Sequence, residues 1–122
     1  MQRVLLVEDD PSTIEVMQQE LEVLGYDVTV ARNGIEAVVM ASSELPDLII
    51  MDIRMPKMNG LRATRLIHNN PRTRSIPILA ATVSALPGDM EKCLEAGCHG
   101  YIAKPFTHID LGAAIKKILV SE

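Results

Sequence analysis

The chain of 122 residues has no tryptophan, one phenylalanine and two tyrosines, so its core must be built from Val, Ile, Leu, Met and Ala. It also lacks long apolar runs. The longest, such as VLLV and LIIM, fall far short of the roughly 20 residues a membrane span needs. The start, MQRVLLVEDD, has no apolar stretch of about 7–15 residues with a small-residue cleavage site, the pattern of a secretory signal. Only two cysteines occur, Cys93 and Cys98, and they form neither a CxxC pair nor a zinc set with the scattered His68, His99 and His108. These absences lead us to expect a cytoplasmic protein with two small core thiols and no transition-metal centre.

What is present is aliphatic and alternating. One domain of this length buries roughly two-thirds of its unfolded surface. Strands are predicted at RVLLV (3–7), DVTVA (27–31), DLIIM (47–51), IPILAA (76–81) and GYIA (100–103), all short and rich in branched residues. Helical spacing fills the gaps between them. Ile14, Met17, Leu21 and Leu24 recur at steps of three and four behind an Asp10–Pro11 start, with Gly25 as the stop. A second helix over 34–43, mostly Ala, Val and Met, is expected to be the most buried. A third covers 60–69, ending at NNP. The fourth carries Leu86, Met90, Cys93, Leu94 and Gly97 at helical steps. The fifth opens with a Thr107–Asp110 capping box and presents Leu111, Ile115, Ile118 and Leu119 to the core.

Five strands alternating with five helices define an α/β fold, a doubly wound parallel sheet with helices on both faces, occupying residues 1–122 as one domain. Ligands of such sheets bind outside the carboxyl ends of the strands. The residues there are Glu8, Asp9 and Asp10 after the first strand, Asp52 after the third, Thr82 after the fourth, and Lys104 with Pro105 after the fifth. Each has a structural reading alone: acids favour a helix N-terminus, Asp52 can cap a turn, Thr82 can end a strand and Lys104 can lie along the surface. Together they converge on one rim. Carboxylates about 5 Å apart repel by roughly 3 kcal/mol at an effective dielectric near 20, so the cluster needs a proton, Lys104 or a hard divalent cation such as Mg²⁺. A carboxylate, a metal site, a hydroxyl and a lysine are the parts for phosphoryl transfer to Asp52.

Charge is segregated along the chain. Residues 1–53 carry a balance of −9 and residues 54–122 one of +5. The basic residues are dispersed without aromatic interleaving, which argues for solvated helix faces over nucleic-acid binding.

The motifs VLLVEDD, DLIIMDIRMPKMNG, ILAAT and YIAKPF, in this order and spacing, resemble the receiver domain of two-component response regulators over essentially the whole chain. The resemblance implies a flavodoxin-like strand order of 2-1-3-4-5. It implies Asp52 as phosphoacceptor, and Glu8, Asp9, Asp52 and the Arg54 backbone carbonyl as Mg²⁺ ligands. It further implies Thr82 as switch hydroxyl, Lys104 as phosphate-binding lysine, Tyr101 as switch aromatic and a cis Lys104–Pro105 bond. Glu8 stands where many relatives have Asp, Val83 where a small residue is usual, and Arg54 and Ser84 at variable positions. In style the sequence is similar to stand-alone cell-division regulators and receivers of hybrid histidine kinases.

The expected function is a phosphorylation-activated switch, not an enzyme beyond its own phosphorylation and dephosphorylation. Its phosphodonor would be a histidine kinase or histidine phosphotransfer protein. Its output would pass to a protein partner through the face of helix four, strand five and helix five, without direct nucleic-acid contact, from a chain that is monomeric by default and able to dimerise on phosphorylation. The alternative is a receiver excised from a longer regulator or hybrid kinase. A Mg²⁺-dependent phosphatase of the haloacid dehalogenase type would need a second Asp two residues after the nucleophile, where Arg54 stands. A flavin binder would have to place a phosphate against the acidic EDDPST turn.

Overall fold

The computed structural model describes residues 2–55, 58–82, 88–104 and 106–120. Among them, five strands and five helices alternate: β1 (Arg3–Val7), α1 (Pro11–Val23), β2 (Asp27–Ala31), α2 (Gly34–Glu44), β3 (Leu48–Asp52), α3 (Gly60–Asn69), β4 (Ile78–Thr82), α4 (Asp89–Ala96), β5 (Gly100–Ala103) and α5 (His108–Val120). The strands form one parallel sheet in the order β2-β1-β3-β4-β5. The chain thus moves first to one side of β1 and then to the other, which opens a crevice between the carboxyl ends of β1 and β3.

Alternation along each strand makes two cores. Leu5, Val7, Ile49, Met51, Ile78 and Ala80 face a layer under α2, α3 and α4, where Ala37, Ala41, Ala63, Ile67 and Cys93 pack. Val4, Leu6, Leu48, Ile50, Leu79 and Ala81 face the other layer, closed by Met17 and Leu21 of α1 and by Leu111, Ile115 and Ile118 of α5. Strands buried on both faces explain why the sequence reads there as unbroken aliphatic runs.

The helix starts follow their local chemistry. The Asp10 carboxylate accepts the Thr13 N–H at 3.0 Å, Asn33 accepts from Glu36 at 2.9 Å, and Asn59 accepts from Arg62 at 2.9 Å. Thr107 and Asp110 exchange bonds of 3.1 and 3.2 Å, the predicted capping box. At the end of α4, Gly97 in the left-handed region lets the Cys98 N–H reach the Cys93 carbonyl at 3.0 Å. This closure lays two buried free thiols in one apolar layer. No helix among the described residues is long and apolar enough to cross a membrane.

The opposite, amino-terminal rim of the sheet is closed by Arg3. Its backbone N–H donates to Asp47 at 2.8 Å, and its guanidinium donates to the Glu44 carbonyl at 3.1 Å, at the end of α2.

Three expectations are corrected. β3 and β4 each run one residue further than their apolar letters, taking in Asp52 and Thr82, and β4 begins at Ile78 because Pro77 has no N–H for the ladder. Helix α2 is not the most buried: its fully buried residues are the small Gly34, Ala37 and Ala41, Val38 and Met40 are only partly buried against the core, and Ile35 and Val39 are turned to solvent. In α4, Cys93 and Ala96 are buried, whereas Met90 and Leu94 are exposed. Leu86, Val83 and Ser84 lie outside the described residues.

Ile50 and Val39 differ in burial, at 1% and 62% exposure, although both are aliphatic. Urea denaturation should find Ile50→Ala destabilising by about 2–5 kcal/mol. Val39→Ala should shift stability by less than about 0.5 kcal/mol.

Candidate functional site

Strand register brings the predicted residues together. Val7 pairs with Met51, so Glu8 and Asp52 are neighbours one step further along β1 and β3. Thr82 pairs with Ala103, so Lys104 follows directly beside it. Backbone bonds continue past the strand ends and pin the rim: Glu8 N–H to Ala31 at 3.0 Å, Ile53 N–H to Ala81 at 3.2 Å, and Lys104 N–H to Thr82 at 2.7 Å.

Glu8 is 3% exposed and fully engaged. One carboxylate oxygen takes the Lys104 ammonium at 2.5 Å, and the other accepts the N–H groups of Asp9 and Asp10 at 3.1 and 3.2 Å. Burial alone would raise its pKa. The Lys104 ammonium and the Asp10 N–H outweigh that and hold Glu8 below the usual carboxylate range.

Asp52 is the opposite case. It is 7% exposed, and its Oδ1 accepts the Arg54 N–H at 3.1 Å. Burial and the neighbouring Glu8 charge push its carboxyl up to about 7, against the partial opposition of Lys104 and the Arg54 N–H. Lysine and carboxylates therefore divide unevenly: Glu8 keeps the counter-charge, and Asp52 is left with a charge that the site only partly balances.

Oxygens of Glu8, Asp9 and Asp52 all lie within 4.8 Å of one another. An all-oxygen donor set of net negative charge, with Asp9 the most accessible member, fits a hard divalent cation that keeps part of its water shell. Beside this cluster a cavity of about 490 Å³ opens between α3 and α4, walled by Thr82, Arg54, Asn59 and Lys92 among others. Thr82 is buried at the end of β4. Tyr101 sits half-buried on β5, three residues before Lys104, packed against the α2–α3–α4 layer and outside the acidic cluster. Pro105, and with it the predicted cis bond, lies outside the described residues.

Sequence reasoning missed two features. Lys92, a second cation near the site, was hidden because helix α4 starts after a Pro-Gly pair that obscures its phase. Two glycines, Gly34 and Gly60, approach the backbone of the β3–α3 connection so closely that a Cβ would collide with it. The only signal for them is the repeated Asn-Gly at 33–34 and 59–60.

Known proteins share this fold. A profile of the response regulator receiver domain matches residues 4–116. The polar-differentiation response regulator DivK of Brucella anthropi is 38% identical over 104 residues, 85% of each chain. The receiver domain of sensor histidine kinase PA1611 from Pseudomonas aeruginosa, crystallised with a magnesium ion coordinated in its active site cleft, is 42% identical. It superposes over 98% of both chains with a TM-score of 0.91. Chemotaxis protein CheY4 of Vibrio cholerae is 29% identical over 98% of this chain and 99% of its own, with a TM-score of 0.92.

Folded Asp52 retains a proton that the unfolded chain releases near pH 4 and that the native state releases only near pH 7. The native state binds more protons in that window, so this residue's contribution to stability falls as pH rises through it. Without metal, Asp52→Asn should therefore be more stable than wild type by roughly 1–4 kcal/mol at pH 8. The difference should shrink towards pH 4.5. Urea denaturation of both proteins in EDTA at the two pH values checks this.

Proposed function

The chain belongs to the response regulator receiver domain family, whose members are phosphorylation-activated signalling switches, and we propose that Asp52 is its phosphoacceptor. The observation that carries this reading is the imbalance at the crevice. Asp52 is buried at the end of β3 beside two further carboxylates, and the Lys104 ammonium is bonded to Glu8 rather than to Asp52.

In this reading the whole chain is one receiver. Glu8, Asp9, Asp52 and the Arg54 backbone carbonyl would hold Mg²⁺, as the donor set allows. The ion, when bound, supplies positive charge that lowers the cost of ionising Asp52 and of bringing a phosphoryl group to it. An ionised Asp52 oxygen attacks the phosphorus of a phosphohistidine on a histidine kinase or phosphotransfer protein. The phosphorus–nitrogen bond breaks, and its electron pair stays on the imidazole nitrogen. Lys104 then exchanges Glu8 for a phosphoryl oxygen, and Thr82 donates its hydroxyl to another.

The exchange of partners by Lys104 is the start of the switch. It leaves Glu8 without its ion-pair partner and draws on the backbone bond between Lys104 and Thr82, which joins β5 to β4. Tyr101, half-buried on the same strand, turns inward. The face of α4, β5 and α5, which exposes Met90 and Leu94, changes its affinity for a protein partner. Such a molecule acts in the cytoplasm, promotes only its own phosphorylation and dephosphorylation, is monomeric by default with dimerisation on phosphorylation as a further mode, and needs no direct contact with nucleic acid. It could equally serve as the receiver of a longer regulator or hybrid kinase. The phosphatase reading has no second acid at position 54.

Incubation with acetyl phosphate and Mg²⁺ should add one phosphoryl group by intact mass, and Asp52→Asn should add none. An unchanged wild-type mass, or an equal gain in the variant, would refute the assignment. Steady hydrolysis of a phosphate monoester would favour the phosphatase reading instead.

A further inference from the structure

Two helix-opening glycines stand where any side chain would collide with the backbone that frames the crevice. A Cβ on Gly34, at the start of α2, would lie 2.3 Å from the Met58 carbonyl oxygen and 2.8 Å from the Met58 Cβ. A Cβ on Gly60, at the start of α3, would lie 2.3 Å from the Asp52 carbonyl oxygen and 2.7 Å from the Ile53 Cα. These obstacles are mainly backbone, which cannot swing aside like the tip of a long side chain. Each glycine also donates a bond across its contact. The Gly34 N–H donates to that same Met58 carbonyl at 3.1 Å, and the Gly60 N–H to the Ile53 carbonyl at 3.0 Å.

Met58 and Gly60 are separated only by Asn59, the N-cap of α3. Any displacement of Met58 is therefore passed through two peptide units to a glycine seated on the backbone of Asp52. We infer that Gly34 is a positioning residue for Asp52: the N-terminus of α2 holds Met58, and through Gly60 it sets where the Asp52 backbone lies in the crevice. The inference rests on the reading of that crevice as a Mg²⁺ and phosphoryl-accepting site.

A merely local role predicts the opposite behaviour. Alanine is a better helix former than glycine, so Gly34→Ala should help α2 if the Met58 contact did not matter. Gly112 in α5 is the matching control, because a Cβ there meets the Leu24 side chain at an ordinary 3.5–3.6 Å. Linkage adds a second expectation. If the Gly34–Met58 contact favours the cation, the cation must favour that contact by the same factor.

The test is a Mg²⁺ titration of wild type, Gly34→Ala and Gly112→Ala, followed by backbone amide shifts, with far-UV circular dichroism to establish folding. Gly112→Ala should bind Mg²⁺ like wild type, and Gly34→Ala should bind at least about five-fold more weakly while keeping a native spectrum. In wild type, hydrogen exchange of the Gly34 amide should slow when Mg²⁺ saturates. Wild-type affinity in Gly34→Ala, or Gly34 exchange indifferent to Mg²⁺, overturns the inference. A wild type that binds no Mg²⁺ overturns the reading of the crevice itself, which is a distinguishable result. Should Gly34→Ala fail to fold, the exchange measurement on wild type decides alone.

Discussion

Three carboxylates share one rim of this sheet with one ammonium bonded among them, and the design of the molecule can be understood as the management of that imbalance. Lys104 is committed to Glu8, whose second oxygen is satisfied by two backbone N–H groups. Asp52 receives a backbone N–H from Arg54 and only the more distant influence of the lysine. Two acids in one crevice are thereby given different characters, one held below the usual carboxylate range and one pushed up to about 7, by environment alone. Mutual repulsion would spread such a cluster on a flexible loop. Here it is resisted by ladder bonds that run one residue beyond the strands and by two apolar layers that fix the strands themselves.

The helices contribute at the same rim. In a βα repeat the N-terminus of each helix follows the carboxyl end of a strand. The capped starts of α1, α2 and α3, at Asp10, Asn33 and Asn59, therefore point their positive ends towards the acidic crevice. Those caps satisfy local N–H groups. The Gly34 N–H is spent differently, on the Met58 carbonyl of a connection distant in sequence. Helix α2 is thus both a cover for the sheet and a buttress of the β3–α3 connection. This explains why its fully buried positions are Gly34, Ala37 and Ala41, with Val38 and Met40 packed at the edge of the core and Ile35 and Val39 facing water.

Much of this was legible in the residues. Short runs of branched and aliphatic residues predict the strands, Asp10–Pro11 and Thr107–Asp110 predict helix starts, and the topology of a βα repeat sends Glu8, Asp9, Asp52, Thr82 and Lys104 to one end. Strand ends were harder, because the apolar letters stop before the backbone ladder does; Asp52 and Thr82 are polar and still strand. The burial of α2 was misread because composition reports how apolar a helix is, not how closely it must approach its neighbours. Which acid the lysine would choose depends on side-chain reach within the crevice. The contacts of Gly34 and Gly60 depend on backbone atoms, which leave no letter in the sequence beyond a glycine.

Arg3 gives the far rim a different character. It ties β1 to the end of α2 and to Asp47 ahead of β3, using a guanidinium against a helix carbonyl and no buried uncompensated charge. One edge of the sheet is therefore an electrostatically stressed workplace and the other a sealed hem. For engineering, the hem is the place to attach a dye, a surface tether or a fused module. Modifications there meet a part of the molecule whose geometry is already relaxed, leaving the tension at the opposite edge untouched.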